Sequence, residues 1–122
     1  LEIDQTVLEA NLPAIQAVRS GVQARTVDTT ARDVIKKAGY GEFFTHRTGH
    51  SIDAREIHGS GPTLDNLETR DERLLIPGVG FSIEPGIYFP GEIGLRTEVN
   101  GYIGDGALII TPVDIQRDLI VA

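Results

Sequence analysis

The 122-residue sequence contains no cysteine, no methionine and no tryptophan, and aromatic residues make up only 6% of it. Without thiols the chain cannot form a disulfide, a zinc finger or an iron–sulfur cluster. No apolar run approaches the roughly 20 residues that span a bilayer. The N-terminal LEIDQTVLEAN also lacks the basic start and apolar stretch of a signal peptide. We therefore expect a cytoplasmic protein with no membrane partner.

Basic residues are also few. The chain has 11 Lys and Arg against 18 Asp and Glu, which gives a formal net charge of -7 at pH 7. Because phosphate contacts need clustered positive charge, this balance argues against a nucleic-acid partner. The length and the 40% apolar content predict one domain over residues 1–122. Since no methionine stands at position 1 and the helical pattern is already under way there, we expect a fragment or a processed product.

Two amphipathic helices are predicted in the first third of the chain. Apolar residues from Ile3 to about Arg19 recur at spacings of three and four, and Pro13 is the position at which we expect a kink or a break. A second helix is predicted to follow Thr26 as its N-cap and to end at Gly39. Both helices are interpreted as structural.

The segment from Gly41 to Arg73 has few aliphatic residues, all three histidines and the turn formers of GSGP and LDN. We expect a long, mostly irregular surface segment, and such segments are commonly functional. Beyond it, LLIPGVGFSIEPGIYF, IGLRTEVNGYIG and ALIITP are typical of β-strands separated by Gly and Pro. Two helices followed by an antiparallel sheet give an α+β fold.

Two glutamates in the predicted strands are candidates for chemistry. Because side chains alternate along a strand, Glu84 should lie on the face opposite Phe81 and Ile83. The same rule places Arg96 and Glu98 on one face of GLRTEV. If the two strands pair antiparallel, the glutamates converge, and their repulsion raises one pKa unless a metal ion or Arg96 supplies positive charge. The alternative is a pair of solvated surface residues, which is the usual state of a strand glutamate.

The three histidines lie within the run HRTGHSIDAREIH. Gly49 gives the backbone freedom beside His50, and a cluster of this kind is a less common accident than a single hydrogen-bonded loop histidine, which is the alternative. The spacing of His46 and His50 suits a helical zinc motif, but the surrounding glycines favour a loop or a strand. Histidine with carboxylate ligands suits manganese, cobalt, zinc or iron, and ligand type does not choose among them.

The run HRTGHSID, the later His58 and the run IPGVGFSIEPGIYFPGEIGLRTEVNGYI together resemble a known family. They resemble the C-terminal half of the catalytic domain of proline-specific metallopeptidases with the pita-bread fold, namely Xaa-Pro dipeptidases (prolidases) and Xaa-Pro aminopeptidases. The resemblance extends from about Val7 to Leu119. It implies a partial pita-bread domain without the N-terminal strands, and cleavage of a peptide substrate at the bond that precedes proline.

The same resemblance implies a metal site. His50, Glu84 and Glu98 match the family's metal ligands, and Glu98 matches the residue that bridges two divalent ions. Manganese is the expected ion, with cobalt, zinc or iron as alternatives. Two ions in such a site generate a hydroxide nucleophile and stabilise the oxyanion.

The resemblance also implies four catalytic residues. Glu84 is similar to the carboxylate near the attacking water that acts as general base. His58 is similar to the histidine that steadies the substrate carbonyl, and His46 resembles its neighbour in the substrate pocket. Arg96 matches an arginine that braces the site.

The chain departs from the family pattern in two ways. His50 and His58 are eight positions apart where seven are expected, so the role of His58 is the less secure one. The family takes two further ligands from aspartates on strands before the first helix, and none of Asp4, Asp28 and Asp33 matches them. We therefore expect an incomplete dinuclear site, a chain that is inactive or nearly so alone, and a homodimer or association with a missing N-terminal half.

A hypothesis from another class is a metal-independent or non-catalytic relative on the same scaffold that acts as a peptide-binding or assembly module. A truncated chain that survives as an assembly subunit is a third. The presence of His50, Glu84 and Glu98 together favours the peptidase, because a binding module has no need of all three. The sequence does not distinguish dipeptidase from aminopeptidase specificity.

Overall fold

A computed structural model of the protein describes residues 2–53, 55, 57–105 and 108–111. These residues form two α-helices, a 3-10 turn and six strands: α1 Glu2–Ala17, α2 Ala24–Lys37, the 3-10 turn Gly41–Phe43, β1 Ser51–Ile52, β2 Gly80–Ile83, β3 Gly86–Phe89, β4 Ile93–Arg96, β5 Val99–Ile103 and β6 Leu108–Thr111. The predicted α+β order, helices before strands, is confirmed. Within the described ranges, no helix combines the length and the apolar character that crossing a membrane requires.

α1 presents a stripe of small side chains to the core. Val7, Ala10 and Ala14 are at most 1% exposed, and Val18, directly after the helix, is 5% exposed. The spacing of three and four residues places the first three on one face of the helix. Pro13 lies inside α1, so this proline does not divide the element in two. The small side chains let α1 pack closely on α2, which it contacts.

α2 begins three residues earlier than the sequence predicts. Its N-cap is Gln23, and the hydroxyl of Thr26 donates to the Gln23 carbonyl oxygen at 2.6 Å. Thr26 therefore lies inside the helix, and its prediction as the N-cap is wrong because its hydroxyl has a backbone acceptor one turn back. At the other end Gly39 has a φ of +93°, and its N–H donates to the Lys36 carbonyl oxygen at 2.9 Å. Glycine adopts this left-handed conformation without steric cost and so ends the helix.

The strands form two separate antiparallel units. One sheet has the order β1-β2-β5-β6, and β3 pairs with β4 in a hairpin. In the sheet, Ile83 at the end of β2 lies opposite Val99 at the start of β5. Glu84 and Glu98 are the next residues beyond this pair, so the antiparallel pairing on which their convergence depends is present. Residues 74–79 of the first predicted strand run lie outside the strands, and Ala107 and Pro112 of the last run lie outside the described residues.

The core lies where the helices meet the sheet. α1 contacts β2, β3 and β4 as well as α2. The largest fully buried apolar side chains come from α2, the loops and the strands: Ile35, Leu64, Leu75, Phe81, Ile83 and Ile87. Burying side chains of this size supplies about 1.5–3 kcal/mol each relative to leaving them in water. The core therefore sits directly beneath the ends of β2 and β5.

The long segment from 41 to 73 is largely irregular, as predicted, but it is not all surface. Thr48 and Asp65 are at most 1% exposed, and Asp71 is 3% exposed. Their buried polar groups are satisfied within the protein. The Asp71 carboxylate accepts hydrogen bonds from the N–H and hydroxyl of Thr63 and from the guanidinium of Arg73. The prediction of a surface segment is thus wrong for these residues, because internal hydrogen bonds replace water.

Low pH should destabilise the segment from 41 to 73, because the Asp71 carboxylate then takes up a proton. Burial opposes ionisation of its carboxyl, but hydrogen bonds from Arg73 and Thr63 outweigh burial and hold its pKa well below the ordinary 3.8. A lowered pKa gives stability that is present above the unfolded-state pKa and is lost as the pH falls. We expect Asp71→Asn to lower the free energy of unfolding by about 2 kcal/mol at pH 7.

Urea denaturation at pH 7 and at pH 3 measures this effect. At pH 3, which is below the unfolded-state value of 3.8 but above the folded-state pKa, only part of the wild-type contribution is lost. The two proteins should therefore differ somewhat less there than at pH 7. An equal difference at both pH values would contradict the assignment to the Asp71 charge.

Candidate functional site

His50, Glu84 and Glu98 meet at the edge of the sheet where β2 ends and β5 begins. One nitrogen or carboxylate oxygen from each lies within 4.8 Å of the others. The His50 Nε2 is 3.6 Å from Oε2 of Glu84. Imidazole nitrogen and carboxylate oxygen are common ligands of first-row divalent ions. In donor type and in spacing, the three residues fit such an ion.

The backbone fixes the orientation of His50. Its Nδ1 is 3.0 Å from the carbonyl oxygen of Ser51. Because a carbonyl oxygen only accepts, the ring proton of the neutral imidazole is on Nδ1, and the lone pair is on Nε2. That nitrogen is the one that faces Glu84. A histidine whose other nitrogen donates to the backbone is the usual arrangement of a metal ligand.

The residues before His50 run antiparallel to the end of β2. The N–H of Ser82 donates to the His50 carbonyl oxygen at 2.9 Å, and the N–H of Glu84 donates to the Thr48 carbonyl oxygen at 2.6 Å. The Ser82 hydroxyl in turn accepts the N–H of His50 at 3.0 Å. These bonds fix two candidate ligands relative to each other through the backbone.

Glycine is required at position 49. A Cβ there would overlap the carbonyl oxygen of Ser82, and on its other side Gly49 pairs with Leu64.

Since two backbone segments would have to separate, we expect Gly49→Ala to lower the free energy of unfolding by about 3 kcal/mol. Gly41→Ala is the matched control, because its Cβ would come closest to the Cγ of the exposed Lys36, which a change of side-chain rotamer moves away, so we expect a smaller loss there. Chemical denaturation measures both variants, and equal losses would contradict the prediction.

Arg96 lies beside both glutamates. Its Nη1 is 3.8 Å from Oε1 of Glu84, and its Nε is 3.9 Å from Oε1 of Glu98. These separations are too long for good hydrogen bonds, so the guanidinium acts on the carboxylates through its charge. Because the Arg96 side chain is half exposed, water screens much of that charge.

The pKa of Glu98 is raised by burial and, to a smaller extent, by Glu84. Burial raises it above the ordinary 4.5, and the hydrogen bond and charge of Glu84 raise it further, while Arg96 and His50 lower it by less. The two carboxylates are therefore under-compensated by the protein itself. A cation between them would remove this penalty.

Removing the negative charge of Glu98 should stabilise the metal-free protein. A raised pKa means that Glu98 contributes stability below pH 4.5 that is lost as the pH rises through the folded-state pKa. Because 40% of the side chain is exposed, we expect Glu98→Gln to raise the free energy of unfolding by only about 0.5 kcal/mol at pH 7. Thermal unfolding in a chelator measures the gain, and a variant less stable than wild type would contradict it.

His46 and His58 approach the same region. The Nδ1 of His46 is 2.6 Å from the carbonyl oxygen of Arg47, and its Nε2 is 2.6 Å from the hydroxyl of Tyr88. The carbonyl places the proton of the neutral ring on Nδ1, so Tyr88 donates to Nε2. The rings of His58 and His50 are 4.2 Å apart between centroids, although His58 is exposed. Sequence analysis did not single out Tyr88, which orients His46.

A cleft of about 340 Å³ brings most of these groups together. Its lining is His46, Arg47, Gly49, His50, His58, Glu68, Glu84 and Arg96. Five of the six residues predicted from the sequence therefore share one cleft, and the sixth, Glu98, is within reach of His50 and Glu84. The group of three that the described residues assemble contains no aspartate. The catalytic and ligand roles stay predictions.

Asn11 on α1 is a buried residue that sequence analysis missed. Its Nδ2 is 3.4 Å from the carbonyl oxygen of Ile83 and 3.5 Å from that of Thr97, the residues directly before the two glutamates. Within the described part of the chain its Oδ1 has no hydrogen-bond partner. The available signal was its place on the buried face between Val7 and Ala14. α1 thereby contacts the backbone beneath both candidate ligands.

Comparisons with known proteins agree with this architecture. Residues 2–105 match the model described as metallopeptidase family M24. The chain is 41% identical over 114 residues to the Xaa-Pro dipeptidase of Lactobacillus helveticus, a match over 93% of this chain and 30% of that protein. It is 46% identical over 89 residues to the probable dipeptidase PepE of Mycobacterium bovis, a match over 73% of this chain and 22% of that protein. The chain thus spans less than a third of the length of these relatives.

Solved structures show the same relationship. The X-Pro aminopeptidase from Thermotoga maritima superposes with a TM-score of 0.87 at 35% identity, over 99% of this chain and 33% of that one. The prolidase from Pyrococcus furiosus superposes with a TM-score of 0.82 at 38% identity, over 89% of this chain and 31% of that one. The fold predicted from the resemblance, part of a pita-bread domain, is confirmed.

Proposed function

Because the chain belongs to metallopeptidase family M24, we propose that it takes part in metal-dependent hydrolysis of the peptide bond that precedes proline. The convergence of His50, Glu84 and Glu98 within 4.8 Å carries this proposal. Similarity to proteins named Xaa-Pro dipeptidase, X-Pro aminopeptidase and prolidase supports the choice of substrate. The substrate would be a peptide with proline after the scissile bond.

Each proposed ligand offers a defined atom. His50 would bind through Nε2, since the Ser51 carbonyl holds the proton on Nδ1. Glu84 and Glu98 would bind through carboxylate oxygens whose mutual repulsion the ion relieves. A divalent ion held there would polarise the scissile carbonyl and make a water molecule more acidic. We propose manganese, with cobalt, zinc or iron as alternatives that the same ligands accept.

The other side chains of the cleft would bind substrate and move protons. Glu84, at the end of β2, would accept a proton from the attacking water as general base. Arg96 would keep the two carboxylates together by its charge. His46, held by the Tyr88 hydroxyl, would line the substrate pocket. His58, exposed beside His50, would donate to the substrate carbonyl oxygen.

We propose that the site is incomplete among the described residues of this chain. One imidazole and two carboxylates suffice to hold one ion, but the family's dinuclear site needs two further carboxylates that the cluster of described residues lacks. We therefore propose that residues 1–122 are a partial catalytic domain with little or no peptidase activity alone. An N-terminal half would supply the missing ligands, and the chain would associate with that half or form a homodimer, in the cytoplasm.

Metal binding tests the ligand assignment. We expect calorimetry to show Mn²⁺ binding by the wild-type chain and at least a ~100-fold weaker affinity in His50→Ala, because a direct ligand is lost. His58→Ala is the matched control, since it removes a histidine from the same cleft that is not a proposed ligand, and it should keep the wild-type affinity. Equal affinity in wild type and His50→Ala would contradict the assignment.

Peptide cleavage tests the substrate. The chain would be mixed with Mn²⁺ and the N-terminal portion of a family relative, and then assayed on an Xaa-Pro dipeptide, a longer Xaa-Pro peptide and a matched Xaa-Ala peptide. We expect a gain in cleavage before proline alone. Cleavage of the Xaa-Ala peptide at the same rate, or no gain on mixing, would contradict the proposed function.

A further inference from the structure

Asp28 on α2 is a fully buried carboxylate outside the cluster of candidate ligands. It accepts two hydrogen bonds from Arg32, at 3.2 Å and 3.0 Å. It accepts two more from the N–H and hydroxyl of Thr48, both at 2.8 Å, and one from the N–H of Asn66 at 3.1 Å. A carboxylate is buried at this depth only when donors surround it. Here the donors come from three separate parts of the chain.

Arg32 extends the network along the loop that precedes His50. Besides Asp28, its guanidinium donates to the carbonyl oxygen of Phe44 at 2.9 Å and to that of His46 at 2.8 Å. The same group lies 4.1 Å from the centroid of the Phe44 ring. One ion pair on α2 therefore binds the loop from position 44 to position 48 through its backbone.

Thr48 connects this pair to the candidate ligands. On one side its N–H and hydroxyl bind Asp28, and on the other its carbonyl oxygen accepts the N–H of Glu84 at 2.6 Å. Thr48 also lies two residues before His50. A single residue, Thr48, thus lies between the buried carboxylate and the backbone of Glu84, and Gly49 follows it before His50.

Stability alone does not account for such a pair. A buried ion pair is often no more stabilising than apolar side chains of similar volume, because removing the charges from water is costly. What an ion pair adds is direction, since each of its donors and acceptors has a fixed geometry. At Asp28 and Arg32 those directions point to the loop that carries His46 and His50.

We propose that Asp28 and Arg32 are positioning residues that set the geometry of His50 and Glu84 through Thr48. The inference rests on the proposed metal-binding role of those two residues. Asp28 contacts neither the ion nor the substrate in this scheme. It holds the 48–50 backbone at a fixed distance from the end of β2.

Three variants test the proposal. Thr48→Val removes the hydroxyl donor to Asp28 and keeps the side-chain size. Asp28→Asn removes the charge and leaves an amide donor facing the donors of Arg32. Ile35→Val is the matched control, because Ile35 is fully buried on the same helix and lies in the apolar core rather than in the network.

The first readout needs no metal. Hydrogen exchange of backbone amides is measured by NMR in a chelator. Relative to amides inside α2, we expect Thr48→Val to speed exchange at His50 and Glu84 about tenfold, the effect of losing one hydrogen bond that holds the loop. Ile35→Val should change both groups of amides equally. Uniform exchange in Thr48→Val would overturn the proposal, and if Asp28→Asn does not fold, Thr48→Val decides alone.

The second readout is the visible absorption spectrum of bound Co²⁺, which reports ligand geometry. We expect Thr48→Val and Asp28→Asn to shift the spectrum and to weaken Co²⁺ binding by roughly 10–100-fold, with no change in Ile35→Val. An unshifted spectrum with wild-type affinity would overturn the positioning role. If the wild-type chain binds no Co²⁺ while exchange at His50 and Glu84 responds selectively, the proposed metal role fails, whereas the positioning of the backbone is supported.

Discussion

A carboxylate without access to water must find all its hydrogen-bond donors inside the protein, and this requirement at Asp28 constrains how α2 and two separate loop segments are arranged. Its donors lie on α2, at Thr48 and at Asn66. These three regions must therefore be held in a fixed relative position for the carboxylate to accept all of its hydrogen bonds. Any arrangement that leaves the charge unpaired costs several kcal/mol. The irregular loop is therefore ordered by these hydrogen bonds as well as by the apolar packing of Phe44 and Leu64.

The helices shape the candidate site although they contribute no candidate ligand to it. Asn11 on α1 reaches the carbonyl groups that precede both glutamates, while Asp28 on α2 reaches the segment that precedes His50. Both residues lie on the buried faces of their helices, where polar side chains are uncommon unless they bind something. In this protein they bind backbone. The helical layer thus supports the ends of the strands at which the candidate ligands lie.

The local rules of sequence predicted much of this fold. Spacings of three and four located both helices, and alternation in FSIEPG and GLRTEV, with antiparallel pairing, predicted that Glu84 and Glu98 would converge. The roles of His46, His58 and Arg96 came from family resemblance, because nothing in their spacing assigns a task. The structure adds that His46 and His58 share a cleft with His50.

Other features escaped the sequence for physical reasons. A polar composition predicts exposure, so the segment that contains Thr48 and Asp71 was expected at the surface. In the structure both residues are buried, and internal hydrogen bonds satisfy their polar groups. Asp28 and Arg32 share a helix face with Ala31 and Ile35. The four-residue spacing of the charged pair can be read from the sequence, but the same spacing is also common in ion pairs exposed to solvent. Only the fold distinguishes a buried pair from an exposed one.

The candidate ligands come from a loop before β1, from the end of β2 and from the start of β5, so they meet only after the sheet has paired. An unfolded chain offers them far apart, and an ion bound there would favour the native state through thermodynamic linkage. At a free-ion concentration 100 times the dissociation constant, this linkage is worth about 2.7 kcal/mol. For a small domain whose entire stability is about 5–15 kcal/mol, the supply of divalent ions in the surroundings would then help to determine how much folded protein exists.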